Sequence, residues 1–300
     1  MALLVIAIVV GIGYELVRQS QLSMEKFGLQ FWLTDVWDPV SEVFGARTLI
    51  WGTLYSSILA LIISTPIALG IAIYLSELCP ASLRQPLAFL TELLAAIPSI
   101  VYGLWGIFVL APAVRWLELH TPTVLRGFPL FTGPPLGIGM GSAALILAVM
   151  IVPFSSAVAR EVLKSVPQHQ REAAYALGAT RWEAIRAALF YARTGIVGAV
   201  MLGFGRALGE TMAVTMVIGN TRHISWSLFA PQYSMAAAIA NEFTEATGAL
   251  YLSALIEIGL VLFIITLAIN VLSRMLIWSM NRQPRPRMAP ALVPATGERA

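Results

Sequence analysis

The chain has 300 residues, of which 58% are hydrophobic and only 12% are charged. Soluble domains carry about 25% charged residues, so this composition excludes an ordinary soluble fold and predicts an all-α membrane protein. The net charge of +3 does not indicate nucleic-acid binding, because the chain has only two lysines and its arginines lie between apolar segments. One cysteine, Cys79, excludes an internal disulfide, and three widely spaced histidines predict neither a metal site nor a cofactor.

Six apolar segments follow one another along the chain. A helix needs about 20 apolar residues to cross a bilayer, and five segments reach that length: 49–75, 87–113, 137–159, 195–220 and 249–273. The remaining segment, 2–17, is shorter. It lacks the basic leader and the small-residue cleavage pattern of a signal peptide, so a first membrane helix is favoured over that alternative. The sequence therefore predicts six transmembrane helices.

These segments divide the chain into four regions. Residues 1–17 form the first transmembrane helix and residues 18–47 a periplasmic loop. Residues 48–280 form a core of five transmembrane helices, which includes a cytoplasmic loop at 161–194. Residues 281–300 are proline-rich and lack an apolar period, so they are predicted to be a disordered cytoplasmic tail.

The distribution of basic residues predicts the orientation of these helices. Cytoplasmic loops carry an excess of Lys and Arg, and this rule fits best when both termini are cytoplasmic. Twelve basic residues then lie inside: Arg84, Arg160, Lys164, Arg171, Arg181, Arg186, Arg193, Arg274, Arg282, Arg285, Arg287 and Arg299. Six lie outside: Arg18, Lys26, Arg47, Arg115, Arg126 and Arg222.

The loop at 18–47 is rich in aromatic residues. Phe27, Phe31, Trp32, Trp37 and Phe44 lie within it. Aromatic side chains with a polar edge concentrate at the headgroup level of a bilayer. We therefore expect these rings to anchor the loop at the membrane surface.

The loop at 161–194 has the signals of two short helices joined by a turn. Ser165 with Gln168, and Thr180 with Glu183, have the spacing in which a hydroxyl and a side chain three residues later cap a helix. Gly178 lies between them, where a helix commonly ends in a left-handed turn. The sequence predicts a helical hairpin with its turn at Gly178.

The fifth apolar segment contains an arginine, Arg206, that we place near the middle of the bilayer. An isolated Arg there costs at least about 2.5–3.5 kcal/mol, so its side chain must face a partner or a water-filled path. Glu210 follows four residues later, one helical turn away, so the two side chains are predicted to share a face and to pair. The fork of a guanidinium matches tetrahedral oxyanions, which predicts a switchable anion site; a structural ion pair between helices is the alternative. Glu92 and Glu257 also lie within apolar segments, and for them a packing or pairing role is favoured over a role in substrate binding.

The loop at 161–194 resembles a loop found in a known family of membrane proteins. Glu172, Ala173 and Ala174, with Gly178 four residues beyond them, resemble the EAA loop of ABC importer permeases. This resemblance implies that the four residues form the element that docks on an ATPase subunit; a chance match on a surface hairpin is the alternative. The family pattern closes with Ile-x-Leu-Pro, whereas residues 188–191 read ALFY, so the closing proline is missing.

Four longer stretches of the sequence indicate which branch of this family the chain resembles. Residues 44–80, 92–110, 129–140 and 205–220, the last reading GRALGETMAVTMVIGN, are similar to phosphate importer permeases of the C-type subunit. The resemblance implies a type I ABC importer permease fold in the bacterial inner membrane, with Arg206 and Glu210 on the translocation path. It also implies a heterodimer with the related A-type permease, two cytoplasmic ATPase subunits and a periplasmic phosphate-binding protein. A sulfate or molybdate importer and a stand-alone secondary transporter are the alternative functions.

ATP hydrolysis is not predicted for the chain itself. A phosphate-binding loop requires the pattern G-x-x-x-x-G-K-[ST], and neither Lys26 nor Lys164 follows a glycine. We expect a transport subunit without catalytic residues, whose energy comes from a separate ATPase.

Overall fold

The computed structural model describes residues 2–122 and 127–281. Within these ranges the chain is helical, and the only β pairing is two isolated bridges. The tail at 281–300, apart from the backbone of its first residue, and Arg126 lie outside the described residues. The α-helices are α1 Ala2–Gln19, α2 Gln21–Phe27, α3 Gln30–Leu33, α4 Arg47–Ile73, α5 Ala81–Ala96, α6 Ser99–Trp105, α7 Ala111–His120, α8 Met140–Lys164, α9 Gln168–Ala176, α10 Arg181–Leu208, α11 Met212–Val217, α12 Met235–Glu242 and α13 Ala249–Asn281.

Five stretches of helix in the described residues are long and apolar enough to cross a membrane. They are Arg47–Leu78, Ser99–His120, Met140–Lys164, Arg181–Leu208 and Ala249–Met280. Helices α1 and α2 meet at an angle of 56°, and this bent pair gives a sixth candidate. The predicted six-span, all-helical membrane fold is therefore confirmed, although two spans have other bounds than expected.

Helix α8 lies at the centre of the bundle. It packs along α4 and α10 and buries side chains such as Ile146, Leu147 and Ile151. Gly203 of α10 lies directly against Ile151 and Ser155, so a methyl group at that position would clash with both side chains. The absence of a side chain there lets α10 approach α8 closely.

The third apolar segment, predicted as one helix over 87–113, is broken. Helix α5 ends at Ala96 and α6 begins at Ser99, with Ile97 and Pro98 in extended conformation between them. A proline disfavours the helical conformation of the residue before it and cannot donate a helical hydrogen bond. The Tyr102 hydroxyl donates to the Leu94 carbonyl at 2.8 Å and connects the two sides of the break. The span itself is Ser99–His120, and α5 is a separate helix.

The fifth predicted segment, 195–220, is also placed differently. Helix α10 begins in the loop at Arg181 and continues without interruption to Leu208, and α11 is a separate short helix. Residues 188–191, where the family pattern would close with a proline, contain none, so nothing there stops the helix. One rigid helix therefore joins the hairpin to the position of Arg206.

Three aromatic rings of the loop at 18–47 are buried and do not anchor it at the membrane surface as predicted. Phe31, Trp37 and Phe44 are buried in a hydrophobic core together with residues of α13. Trp37 and Phe44 meet edge to face at 4.8 Å between ring centroids, and Phe44 stacks on Tyr251 at 5.3 Å. Burying large rings removes far more apolar surface from water than headgroup contact would, so anchoring was the wrong expectation for these three residues.

A buried carboxylate holds this aromatic core to the loop that follows α11. Glu242 accepts hydrogen bonds from the Trp37 indole and the Tyr251 hydroxyl, each at 2.7 Å. Arg222 donates to Glu242 at 2.7 Å and to the Trp37 carbonyl at 3.0 Å. Burial raises the pKa of the neighbouring Tyr233 to about 12, so its hydroxyl stays protonated. Four segments of the chain are thus joined through one side chain.

Replacing this carboxylate is expected to destabilise the protein strongly. In Glu242→Ala the three donors lose a buried acceptor and Arg222 loses its counter-charge, which costs about 3–5 kcal/mol. The melting temperature of the purified protein should fall by several degrees. Glu245→Ala removes an exposed carboxylate three residues away and should change the melting temperature little. Equal melting temperatures for the two variants would contradict the role of Glu242.

Candidate translocation and coupling sites

Arg206 lies in the last turn of α10 and is exposed in the single chain. Its guanidinium is 5.6 Å from the centre of the Phe154 ring on α8, and it acts electrostatically on Tyr102 of α6. Among the described residues it has no hydrogen bond or ion pair. The cation is therefore held by an aromatic face, while its five donors remain open to a ligand.

Glu210 is not one helical turn from Arg206 as predicted. Helix α10 ends at Leu208 and Gly209 is its cap, so Glu210 lies in the break before α11. No ion pair within 4 Å joins Arg206 to Glu210 in the described part of the chain. Glycine is about 1 kcal/mol less favourable than alanine inside a helix, and Gly205 and Gly209 both weaken the helix here. The predicted shared helical face was wrong, while the two residues still lie at one helix end.

Two backbone breaks are connected with Arg206. The break between α10 and α11 follows it directly in the chain, and the break at Ile97 and Pro98 is bridged by Tyr102, on which Arg206 acts electrostatically. Helices α6 and α11 pack tightly, since a methyl group placed on Gly103 would be 3.2 Å from the Ala213 Cα. In membrane proteins, irregular backbone at membrane depth is tolerated where it is buried in protein or lines a cavity. The breaks and the open cation therefore mark this region as a candidate ligand path.

The α9–α10 hairpin has the predicted turn. Gly178 has a φ of +82°, the left-handed conformation that glycine adopts without strain. The Ala179 N–H donates to the Ala174 carbonyl at 3.1 Å and closes the end of α9. Thr180 and Glu183 form the predicted reciprocal cap, with the Thr180 N–H donating to the Glu183 carboxylate at 2.7 Å.

The other predicted cap was wrong. Ser165 is the C-terminal cap residue of α8, and its hydroxyl donates to the Val162 carbonyl at 2.7 Å. Pro167, with its fixed φ, precedes α9 instead. A serine can bond back to the preceding turn as readily as it caps a following helix, so spacing alone does not distinguish the two arrangements.

One side of the hairpin presents residues that nothing in the described chain covers. Glu172 and Ala173 are exposed, and Ala174 is half-buried. Leu177 is 89% exposed and Trp182 is 61% exposed. Leu177 and Trp182, on either side of the turn at Gly178, are large apolar side chains left exposed, as expected of a surface that binds another protein.

The opposite side of the hairpin makes an ion pair that the sequence did not reveal. Arg171 donates from Nη2 to Glu77 Oε1 at 2.7 Å and from Nε to Glu77 Oε2 at 3.2 Å. Arg181 donates to the Glu77 carbonyl at 2.9 Å. Glu77 belongs to a π-helical segment, Tyr74–Leu78, that continues α4. The pair joins residues 94 positions apart, and only the charge of Glu77 at the end of an apolar segment hinted at a role.

A second ion pair lies at the same end of the bundle. Arg160 of α8 is buried and donates to Glu92 of α5 at 2.7 Å and to Glu161 at 3.1 Å. A polar cavity of about 540 Å³ opens beside it and is also lined by Arg84 and Lys164. The pairing role expected for Glu92 is thus present, although Glu92 lies on α5 and not in a span. Glu257 is buried on α13, consistent with packing.

A comparison with protein families decides the class of this fold. The profile of the family described as "Binding-protein-dependent transport system inner membrane component" matches residues 66–277. The chain belongs to this family. The matched range includes Glu77, the α9–α10 hairpin and both helix breaks, so these features lie in the family's shared region. Multiple apolar helices and family membership together make it a multi-pass inner-membrane protein.

Individual relatives cover almost the whole chain. A phosphate transport system permease protein PstC from Mesorhizobium japonicum is 48% identical over 279 residues, which cover 91% of this chain and 85% of the relative. The PstC of Pasteurella multocida is also 48% identical, over 94% of this chain and 90% of the relative. A probable PstC of Methanocaldococcus jannaschii is 38% identical over 83% of this chain and 82% of the relative.

Solved structures support the fold. A chain of the inward-facing MetNI methionine ABC transporter matches with a TM-score of 0.60 at 18% identity, covering 82% of this chain and all of that one. A second crystal form matches with a TM-score of 0.58 over 77% of this chain and 94% of that one. The helical arrangement is therefore that of an ABC importer permease.

Proposed function

We propose that this chain is the membrane permease subunit of an ATP-driven importer that carries inorganic phosphate across the bacterial inner membrane. The observation that carries the proposal is the open guanidinium of Arg206 at the break between α10 and α11, in a chain 48% identical to phosphate permeases. The chain acts as a transport subunit and not as an enzyme, and a separate ATPase hydrolyses the ATP.

The chemistry of the site suits phosphate. Arg206 supplies a permanent charge and paired N–H donors, which match two oxygens of a tetrahedral oxyanion. Glu210, at the start of the following segment, can accept a hydrogen bond from a protonated phosphate oxygen. Sulfate carries no proton at neutral pH, so a nearby carboxylate repels it. This difference favours phosphate over sulfate or molybdate, the second candidate substrates.

The hairpin supports an ATPase partner. In the proposed complex Glu172, Ala173, Ala174 and the turn at Gly178 dock on the ATPase, and the exposed Leu177 and Trp182 enlarge that contact. A stand-alone secondary transporter has no need of such a surface, which disfavours that alternative. The full assembly contains a second, A-type permease as heterodimer partner, two ATPase subunits and a periplasmic phosphate-binding protein.

The basic residues at the hairpin end of the bundle indicate how the chain is oriented in the membrane. The hairpin end of the bundle collects basic side chains, among them Arg84, Arg160, Lys164, Arg171 and Arg181. Basic residues concentrate on the cytoplasmic side, so this end faces the cytoplasm and both termini lie there. Residues 18–47 are then periplasmic, residues 48–280 form the permease core, and residues 281–300 extend into the cytoplasm.

Genetic complementation tests the substrate. The chain, expressed with its A-type partner and ATPase, should restore phosphate uptake in a bacterium that lacks its own phosphate permeases. It should not restore sulfate uptake in a strain that lacks its sulfate permease. Depletion of ATP should stop the restored uptake. Restoration of sulfate but not phosphate uptake, or uptake that persists without ATP, would overturn the proposal.

A further inference from the structure

We propose that Glu77 is a positioning residue for energy coupling, which transmits movement of the α9–α10 hairpin to α4. The inference rests on the proposed function and adds a route inside this chain. It assigns to Glu77 and Arg171 a task distinct from ATPase docking: they join the docking element to a membrane span.

Three segments meet at Glu77. Glu77 belongs to the π-helical segment that continues α4. Its carboxylate accepts two hydrogen bonds from Arg171 of α9, and its carbonyl accepts one from Arg181 at the start of α10. Arg171 also donates to the carbonyl of Leu163 in the last turn of α8, at 3.0 Å, and to that of Val166 just beyond this helix, at 2.8 Å. The hairpin is therefore fixed at one point to the ends of two spans.

This connection is stronger than a surface ion pair. The side chain of Glu77 is 12% exposed and that of Arg171 is 22% exposed, so water screens the pair little. The two parallel N–H donors fix its geometry as well as its distance. Exposed pairs such as Arg18 with Glu15, which are 65% and 45% exposed, contribute little to structure. The Glu77 pair can therefore carry a displacement of the hairpin, whereas an exposed pair such as Arg18 with Glu15 cannot.

The hairpin has two working sides. Glu172 faces out, where no described residue of the chain covers it, while the adjacent Arg171 turns inward to Glu77. Successive residues of a helix differ in direction by about 100°, so neighbours naturally address different surfaces. A partner that moves the hairpin at Glu172 therefore also moves Arg171, and through its ion pair Glu77.

Helix α4 can deliver that force to the other end of the bundle. Its central part packs along α8. Near its first turns the Trp51 indole donates to the Ser225 carbonyl at 3.2 Å, and the Tyr55 hydroxyl donates to the Trp226 carbonyl at 2.7 Å. The loop that contains Ser225 and Trp226 follows α11. One helix therefore connects the hairpin to the loop that follows α11.

Charge exchange tests the connection. The complex is purified with its ATPase and reconstituted with the binding protein, and phosphate transported per ATP hydrolysed is measured. In Glu77→Arg, three cations meet at one point, and the ratio should fall about tenfold, a usual size for coupling between sites. The ATPase should still copurify, because Glu172 is unchanged. The double variant Glu77→Arg with Arg171→Glu restores an opposite pair and should recover at least half of the wild-type ratio.

Further variants separate the possible failures. Glu15→Gln, in an exposed pair on α1, is the control and should leave the ratio unchanged. If Glu77→Arg does not assemble, Arg171→Lys keeps the charge but loses the fork, and the ratio should fall severalfold. An unchanged ratio in Arg171→Lys, or no recovery in the double variant, would overturn the inference. If the wild-type complex does not transport phosphate, the proposed function fails instead.

Discussion

Arg206→Gln is expected to reduce phosphate uptake about 100-fold or more while the complex remains assembled. Glutamine keeps hydrogen-bonding groups but loses the permanent charge and the fork that match an oxyanion. Losing a charged partner of a buried anion costs about 2–5 kcal/mol, which is a roughly 30- to 5,000-fold reduction and includes the expected 100-fold. Uptake of labelled phosphate by reconstituted complexes measures the change, with the amount of copurified ATPase as a check on assembly.

The same variant distinguishes a transport role from a structural one. Arg206 has no hydrogen bond or ion pair in the described chain, so its loss should shift the melting temperature little. A structural ion pair would instead make Arg206→Gln unstable. Arg206→Lys should retain part of the activity, and Arg18→Gln, on exposed α1, should transport normally. Wild-type uptake by Arg206→Gln, or its collapse during purification, would contradict the proposed role.

The features predicted correctly from sequence depend on near neighbours. The cap at Thr180 and the turn at Gly178 involve residues at most five positions apart, so their geometry is written in local spacing. The apolar segments were found because burial in lipid requires a length that composition reveals. Ser165 shows the limit of the local argument, since the same hydroxyl has a satisfactory partner in the turn before it.

The features missed depend on contacts between distant segments. Trp37 is buried in a core to which distant segments contribute, and its indole N–H donates a hydrogen bond to Glu242, 205 residues later. Glu77 meets Arg171 only because α4 and α8 end at the same side of the bundle. The helix end between Arg206 and Glu210 has both a local and a distant cause. The glycines at 205 and 209 permit a helix end, and the packing of α11 against α6 and α8 fixes its position.

Glu172→Lys is expected to weaken ATPase binding without affecting the fold. Glu172 is exposed and has no ion pair in the described part of the chain, so its replacement leaves no buried group without a partner. A cation placed where the partner meets a carboxylate costs several kcal/mol through like-charge contact. ATPase recovered with the purified permease should fall at least about tenfold, and phosphate uptake should fall with it.

The control for this variant has the same charge change at the opposite end of the molecule. Glu245→Lys alters an exposed carboxylate three residues from Glu242, beside the aromatic core, and should leave ATPase recovery unchanged. Normal recovery in Glu172→Lys would contradict the docking role of the hairpin. Comparison with Glu77→Arg then distinguishes ATPase docking from the transmission of movement within the chain. Loss of recovery places a defect at the surface between subunits, whereas retained recovery with a low transport ratio places it at the connection between hairpin and α4.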